Sequence, residues 1–192
     1  MTTKIYLSKR LLLPQLVIES IDMKFIILNG PSCSGKSTIL KKVVSEKEKY
    51  YQLSYDAQKR MFSNFSPENQ YQDVHEVLKS LATTICEMKY NIVCDSGLRK
   101  EWRETLLSIP KKYGYEIIEI NLEADYEILE KRFEERVERV NTNPSEKIYN
   151  TSKDRFRELY EMYENGKNPI ATTFRTDQED AETIAIKVLN FA

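Results

Sequence analysis

The residues best suited to chemistry in this chain form one short segment, G-P-S-C-S-G-K-S, at positions 30–37. The spacing GxxxxGK[ST] is typical of a loop that binds phosphate groups through its main chain. Its two glycines allow backbone conformations that other residues resist, and they leave room for a phosphate beside the chain. Successive N–H groups can then form a nest for an anion. The segment therefore predicts a site for a nucleoside triphosphate such as ATP.

Two side chains of this loop have distinct predicted roles. Lys36 can reach the β- and γ-phosphates, where a cation offsets the charge that develops during phosphoryl transfer. Ser37 can supply a hydroxyl oxygen to Mg²⁺, a metal that prefers oxygen ligands. The residues predicted to bind the nucleotide are Gly30, Pro31, Ser32, Cys33, Ser34, Gly35, Lys36, Ser37 and Thr38.

Two aspartates stand at the ends of predicted strands, where open α/β sheets bind their ligands. Asp56 follows a strand at 50–54, and Asp95 ends a strand at 91–95. Phosphoryl transfer needs a carboxylate near the attacking hydroxyl, which makes Asp56 a candidate general base. Asp95 is a candidate ligand of Mg²⁺ or a group that orients the acceptor. Capping of the segment that follows is the alternative role of each aspartate.

Strands and helices alternate along the chain, which predicts βαβ units and a parallel sheet. Strands are predicted at 24–29, 50–54, 91–95, 115–122 and 170–174. Helices are predicted at 36–49, after Ser66, and at 98–113, 125–140, 152–164 and 177–191, with a connection at 141–150. The expected architecture is one α/β domain with helices on both faces of the sheet.

The composition argues against several kinds of protein. The 29 basic and 30 acidic side chains nearly balance, which argues against a nucleic-acid coat or a basic membrane-surface protein. A single histidine, His75, argues against His-rich metal sites and against Ser-His or Cys-His catalysis, and it is expected on a helix surface. Three cysteines without a paired framework indicate reduced thiols and a cytoplasmic location.

The N-terminal residues 1–22 are expected to form an appendage to a single domain at 23–192. The apolar run L-L-L-P-Q-L-V-I at 11–18 is interrupted by Pro14 and Gln15. It is also far shorter than the roughly 20 apolar residues that span a bilayer. An extra strand or a packed arm is therefore favoured over a targeting segment, and no functional residue is assigned there.

From about residue 23 onward, the chain resembles the small P-loop kinase group. This group includes polynucleotide 5′-kinase, chloramphenicol phosphotransferase, gluconate kinase and the zeta-toxin kinases. The likeness is strongest at G-P-S-C-S-G-K-S-T. The segments L-S-Y-D at 53–56 and N-I-V-C-D-S at 91–96 resemble the second and third strands of the group, and L-E-K-R-F-E-E-R at 129–136 resembles its lid.

The resemblance implies the three-layer fold of P-loop nucleoside triphosphate hydrolases. This fold has a five-stranded parallel sheet in the order 2-3-1-4-5, helices on both faces and a helical lid, here at about 132–152. The resemblance also implies that Asp56 is the general base, that Asp95 lines the acceptor or metal site, and that Arg136 touches the transferred phosphate. Arg132, four residues earlier on the same helix face, is a further nucleotide contact. The glutamates between these arginines leave a solvated, salt-bridged face as the alternative.

The predicted function is ATP- and Mg²⁺-dependent transfer of the γ-phosphate to a hydroxyl of a small molecule, by a monomer or homodimer that binds no membrane. Two alternatives stay open, a nucleotide-binding sensor or assembly protein with little turnover and a 5′-OH polynucleotide kinase. The acceptor itself is not identified by any motif. Trp102 and the tyrosines could stack on an aromatic acceptor or on adenine, although packing is the expected role of most of them. The segment T-T-F-R-T at 172–176 is expected near the adenine ring.

Overall fold

The computed structural model describes residues 23–95, 100–143 and 152–191. The expectations for residues 1–22 and for most of the connection at 141–150 lie outside the described residues. The strands form one parallel sheet in the order β2-β3-β1-β4-β5, which confirms the predicted fold class. They are β1 (Lys24–Asn29), β2 (Tyr50–Leu53), β3 (Asn91–Cys94), β4 (Glu116–Glu123) and β5 (Thr172–Arg175).

Helices connect the strands and cover both faces of the sheet. In the described ranges they are α1 (Lys36–Glu46), α2 (Tyr55–Lys59), α3 (Pro67–Glu87), α4 (Lys100–Lys112), α5 (Tyr126–Thr142), α6 (Lys153–Gly166) and α7 (Ala181–Asn190). The short helix α2 was not among the predicted helices. It begins after Ser54, whose side-chain oxygen accepts a hydrogen bond from the N–H of Ala57 at 3.2 Å. Within the described ranges, no helix combines the length and the apolar character needed to cross a bilayer.

Two hydrophobic layers enclose the sheet because successive side chains of a strand point to opposite faces. On β1, Phe25 and Ile27 contribute to one layer, and Ile26 and Leu28 contribute to the other. The first layer includes buried residues of α3 and α4, and the second includes buried residues of α1 and α7. The central strand β1 is thus buried on both sides. The packed sheet therefore holds the loops at the carboxyl ends of its strands in place.

The carboxyl ends of β1, β2 and β3 meet at one edge of the sheet. Leu53 of β2 pairs with Cys94 of β3, and Cys94 pairs with Ile27 of β1. The chain therefore leaves these three strands at neighbouring points. The segment 30–37, Asp56 and Asp95 all follow directly from this edge.

Candidate functional site

The loop at 30–37 joins β1 to α1 and curves at the carboxyl edge of the sheet. Cys33 and Gly35 have positive φ angles of 65° and 86°, which bend the main chain sharply. Alternation of this conformation with ordinary residues lets successive N–H groups converge on an anion. Gly35 is the N-cap of α1 and has no side chain to cap it, so the helix N-terminus faces the ligand side with its own N–H groups.

Gly30 is required because the loop packs closely against β4. A Cβ atom at this position would lie 2.4 Å from the carbonyl oxygen of Leu122 and 2.4 Å from Oγ of Ser34. Real Cβ atoms do not approach other atoms this closely, so any side chain would displace the loop or the strand. The first glycine of the motif therefore fixes the position of the loop on the sheet.

Lys36 lies across the start of the loop. Its ammonium nitrogen, Nζ, donates hydrogen bonds to the carbonyl oxygens of Gly30 and Pro31, each at 2.7 Å. Because an ammonium group has three donor protons, one remains for an oxygen of a ligand. Burial lowers the pKa of Lys36, the carboxylates of Asp95 and Asp56 oppose this change, and the charge of Arg136 adds to it. The three groups that sequence reasoning assigned to the site thus lie within electrostatic reach of Lys36.

Ser37 and Asp95 are brought together from α1 and the end of β3. The Ser37 hydroxyl donates to Oδ2 of Asp95 at 3.1 Å. The other carboxylate oxygen, Oδ1, is buried and has no hydrogen-bond partner in the described part of the chain. Burial raises the pKa of Asp95; the hydroxyls of Ser54 and Ser37 oppose this effect, and the charge of Asp56 reinforces it. Burial makes the negative charge of the Asp95 carboxylate unfavourable, and a bound cation would offset that cost.

Asp56 lies in the first turn of α2, beyond the end of β2. Because Ser54 caps this helix, Asp56 does not act as its cap. The Asp56 side chain is 53% exposed, and one of its oxygens lies 2.5 Å from Nζ of Lys59, one turn further along. The carboxylate is therefore accessible from solvent at the edge that carries the loop.

Arg132 links α5 to the loop and to the turn after β5. Its guanidinium donates to the carbonyl oxygen of Cys33 at 3.5 Å. It also donates to Oγ1 and to the carbonyl oxygen of Thr176, at 3.0 and 2.8 Å. Sequence reasoning did not anticipate the contact between Arg132 and Thr176, although both residues had been expected near the nucleotide.

Arg136 lies one turn beyond Arg132 and is half-buried. Within the described residues, its guanidinium has neither an ion-pair nor a hydrogen-bond partner, although its charge acts on Lys36. The glutamates of α5 do not occupy it, and Glu134 instead forms an ion pair with Lys153 of α6. Both the proposed contact of Arg136 with a phosphate and the alternative of a solvated, salt-bridged face stay predictions.

A cavity of about 300 Å³ opens next to Pro31 of the loop. Its charged lining is mainly acidic, with Glu123, Asp125, Glu127, Glu164, Lys167 and Arg175. The two cations are already paired, since Lys167 contacts Glu123 and Glu164, and Arg175 contacts Asp125. This lining would repel a polyphosphate.

His75 is the clearest departure from the sequence-based expectations. It is only 4% exposed and does not lie on the helix surface. Its ring stacks on that of Trp102, with centroids 4.5 Å apart and planes 4° from parallel. Tyr71 precedes it by one helical turn and meets it edge-on at 4.6 Å. The spacing of Tyr71, His75 and Leu78 is the sequence signal that indicates this buried face.

The comparisons with known proteins agree with this fold. A family model described as an AAA domain matches residues 25–159. A provisionally described kinase from Chloroflexus aurantiacus has a TM-score of 0.68 at 19% identity, over 89% of this chain and 99% of its own. No curated protein sequence matches the chain.

Two further solved structures extend the comparison. The APS kinase CysC of Mycobacterium tuberculosis, in complex with AMPPNP and APS, has a TM-score of 0.61 at 16% identity, over 88% of this chain and 96% of its own. The tunicamycin resistance protein of Deinococcus radiodurans has a TM-score of 0.53 at 16% identity, over 88% and 95% of the two chains. The likenesses confirm the P-loop nucleoside triphosphate hydrolase fold that the resemblance to the small P-loop kinase group implied.

Proposed function

We propose that this chain, which belongs to the AAA domain family, transfers the γ-phosphate of ATP to a hydroxyl group of a small molecule. The observation that carries this function is the set of charges around Lys36. Two carboxylates, from Asp56 and Asp95, and the guanidinium of Arg136 act on one ammonium group at the edge of the sheet. Simple nucleotide binding needs no exposed carboxylate at this position, whereas phosphoryl transfer to an alcohol does.

In the proposed reaction, the acceptor oxygen bonds to the γ-phosphorus while the bond from that phosphorus to the β–γ bridging oxygen breaks. ADP leaves, and the hydroxyl proton passes to the carboxylate of Asp56. Lys36 and Arg136 offset the negative charge on the transferring oxygens. The N–H groups of the loop hold the phosphates. Arg132 and Thr176 border the position of the adenine ring of ATP.

The donor set at Ser37 and Asp95 fits Mg²⁺. It provides a hydroxyl oxygen and a carboxylate, one of whose oxygens is buried without a partner in the described part of the chain. No group of three or more His, Cys, Asp or Glu side chains suited to a metal occurs among the described residues. A site with one carboxylate is typical of Mg²⁺, which usually retains water and takes further oxygens from substrate phosphates. When bound, the ion would neutralise charge on the phosphates.

Two substitutions test the proposal with labelled ATP and a panel of nucleosides, sugars, antibiotics and 5′-OH oligonucleotides. Lys36→Ala is expected to lower transfer about 10³-fold because it removes a cation that stabilises the transferring group. Asp56→Asn is expected to lower transfer by about 10²- to 10⁴-fold, as expected for loss of a general base. ATP affinity should fall in Lys36→Ala and stay nearly unchanged in Asp56→Asn.

Lys42→Ala and Asp73→Asn are the matched controls. Lys42 lies on α1, where its side chain pairs with Glu182, and Asp73 lies on α3, where it is exposed to solvent. Full transfer by Asp56→Asn would show that Asp56 is not the base. ATP binding without a phosphorylated product from any acceptor would contradict the transferase and favour the sensor alternative.

A further inference from the structure

Four aromatic rings from three helices form a continuous cluster next to Asp56. Tyr55 of α2 lies 5.9 Å from Tyr71 and 5.2 Å from His75 of α3, measured between ring centroids. Tyr71 also meets Trp102 of α4 edge-on at 6.4 Å. With the stacked pair of His75 and Trp102, these contacts join every ring of the cluster to at least two others.

The cluster lies at the same edge of the sheet as the proposed transfer site. Tyr55 directly precedes Asp56 in the chain, so the first ring is one residue from the proposed base. Trp102 lies in the first turn of α4, the helix that follows β3 and Asp95. Tyr71 lies near the start of α3, which leads from the α2 side back along the sheet. Segments that leave β2 and β3 therefore supply both the carboxylates and the rings.

Burial differs within the cluster. His75 is buried, whereas Tyr55, Tyr71 and Trp102 are half-buried. Tyr55 packs against the hydrophobic layer that includes buried residues of α3 and α4. His75 covers one face of the indole, so the core holds the orientation of the ring while part of its surface stays exposed. Rigid rings held in this way offer a flat apolar contact at little cost in side-chain entropy.

We infer that the acceptor is a hydroxyl compound that carries a flat, unsaturated ring. This inference rests on the proposed phosphoryl transfer. The ring packs against Tyr71 and Trp102, and the hydroxyl faces the carboxylate of Asp56. A nucleoside and an aryl alcohol share this chemistry, and the ring rather than the rest of the molecule determines recognition.

A binding measurement tests the ring contact without any need for turnover. Trp102 is the single tryptophan of the chain, so the intrinsic tryptophan emission reports this position alone. With AMPPNP and Mg²⁺ present, the full chain is titrated with uridine against methyl β-D-ribofuranoside, and with benzyl alcohol against cyclohexylmethanol. A saturable change is expected with the ring compound of at least one pair and not with its matched partner. No change with either ring compound, or equal changes within both pairs, would overturn the inference.

Substitutions then test whether the rings set acceptor affinity. Trp102→Leu and Tyr71→Leu are each expected to raise the KM of the ring acceptor about tenfold, as for loss of one stacking contact, while kcat and ATP affinity hold. Trp102→Phe keeps a ring and should restore most of the affinity. Tyr113→Leu, at the residue that follows the last residue of α4, is the control. If both Trp102→Leu and Tyr71→Leu fold and leave the KM of the ring acceptor unchanged, the inference is contradicted.

The two proposals fail in different ways. Transfer from ATP to ringless alcohols as readily as to ring compounds would refute the ring inference and leave the phosphotransferase intact. A saturable emission change with no phosphorylated product from any acceptor would refute the phosphotransferase and retain the ring contact.

Discussion

The phosphate loop and the proposed acceptor side lie at the same edge of the sheet but are built in different ways. The loop is a run of eight consecutive residues, and its main chain makes most of the site. The acceptor side combines Asp56 with rings from α2, α3 and α4, so residues 55, 71, 75 and 102 meet only after folding. One region depends on backbone geometry, and the other depends on side chains that three helices bring together.

This difference follows from what each region has to bind. Every nucleoside triphosphate presents the same phosphates, and convergent N–H groups bind them in one geometry, so few residue types satisfy the loop. Acceptors differ in shape and charge, and many combinations of side chains can meet them. Substitutions in the loop should therefore act on ATP, and substitutions on the acceptor side should act on KM for the acceptor.

The arginines of α5 give the sharpest test of this comparison between a site built from main chain and a site built from side chains. They are side chains, but they act on the loop region. Arg136→Ala is expected to lower the transfer rate about 10³-fold, since a lid arginine stabilises charge mainly in the transition state. Its effect on ATP affinity should be small. Arg132→Ala should instead weaken ATP binding and change the transfer rate little, because Arg132 donates hydrogen bonds to the carbonyl groups of Cys33 and Thr176.

Single-turnover transfer and equilibrium ATP binding, measured on both variants, separate these effects. Equal losses of rate and affinity in both arginine variants would mean that α5 supports the loop as a whole. Unchanged kinetics in both would identify this face as ordinary helix surface and would remove Arg136 from the proposed mechanism.

The backbone basis of the loop can be tested at Gly30. Gly30→Ala should destabilise the fold by roughly 1–3 kcal/mol, as overpacking does in a filled core, and should also weaken ATP binding. The cause is the close approach of the new Cβ to Leu122 and Ser34. Gly166→Ala is the control, since nothing lies within 4 Å of its added Cβ and its helical position should gain up to about 1 kcal/mol. In urea unfolding, the free energy of unfolding should fall for Gly30→Ala and rise for Gly166→Ala. In ATP titration, only Gly30→Ala should bind more weakly.

Much of the fold could be predicted from the sequence because it depends on local patterns. The apolar run of β1, the loop motif and the alternation of strands and helices together predict the parallel sheet, and the family resemblance implied its order. The helix α2 was missed because it has only five residues, too few for a periodic pattern. Its beginning depends on the cap at Ser54.

The candidate site divides in the same way. Lys36, Ser37 and Asp95 were predicted to act together from spacing and strand ends, and the structure brings them into electrostatic contact. The contact of Arg132 with Thr176 and the burial of His75 could not be read from any single segment. Each depends on the packing of elements more than 25 residues apart in the chain, which requires tertiary structure.

The smallest expected effect concerns an ion-pair cluster that joins the turns after β4 and β5. Arg175 donates to Asp177 and contacts Asp125 at 2.5 Å, and its hydrogen bonds hold the pKa of Asp177 below the ordinary value. Because this pKa is lowered in the folded state, the stabilisation is present at neutral pH. It is lost as the pH falls through the folded pKa, in the acid range below that of an ordinary aspartate.

Asp177→Asn should therefore lower the free energy of unfolding at pH 7 by at most about 1 kcal/mol, as for a partly exposed ion pair. The gap between the variant and the original chain should narrow as the pH falls toward 3, which urea unfolding at several pH values measures. Asp180, whose pKa is also lowered, is present in both chains and cancels from the difference. Because Asp177 directly follows Thr176, the hydrogen-bond partner of Arg132, ATP affinity should fall slightly, whereas the acceptor KM should not change. A loss of ATP affinity as large as that of Gly30→Ala would show that side chains, and not only the main chain, shape the loop region.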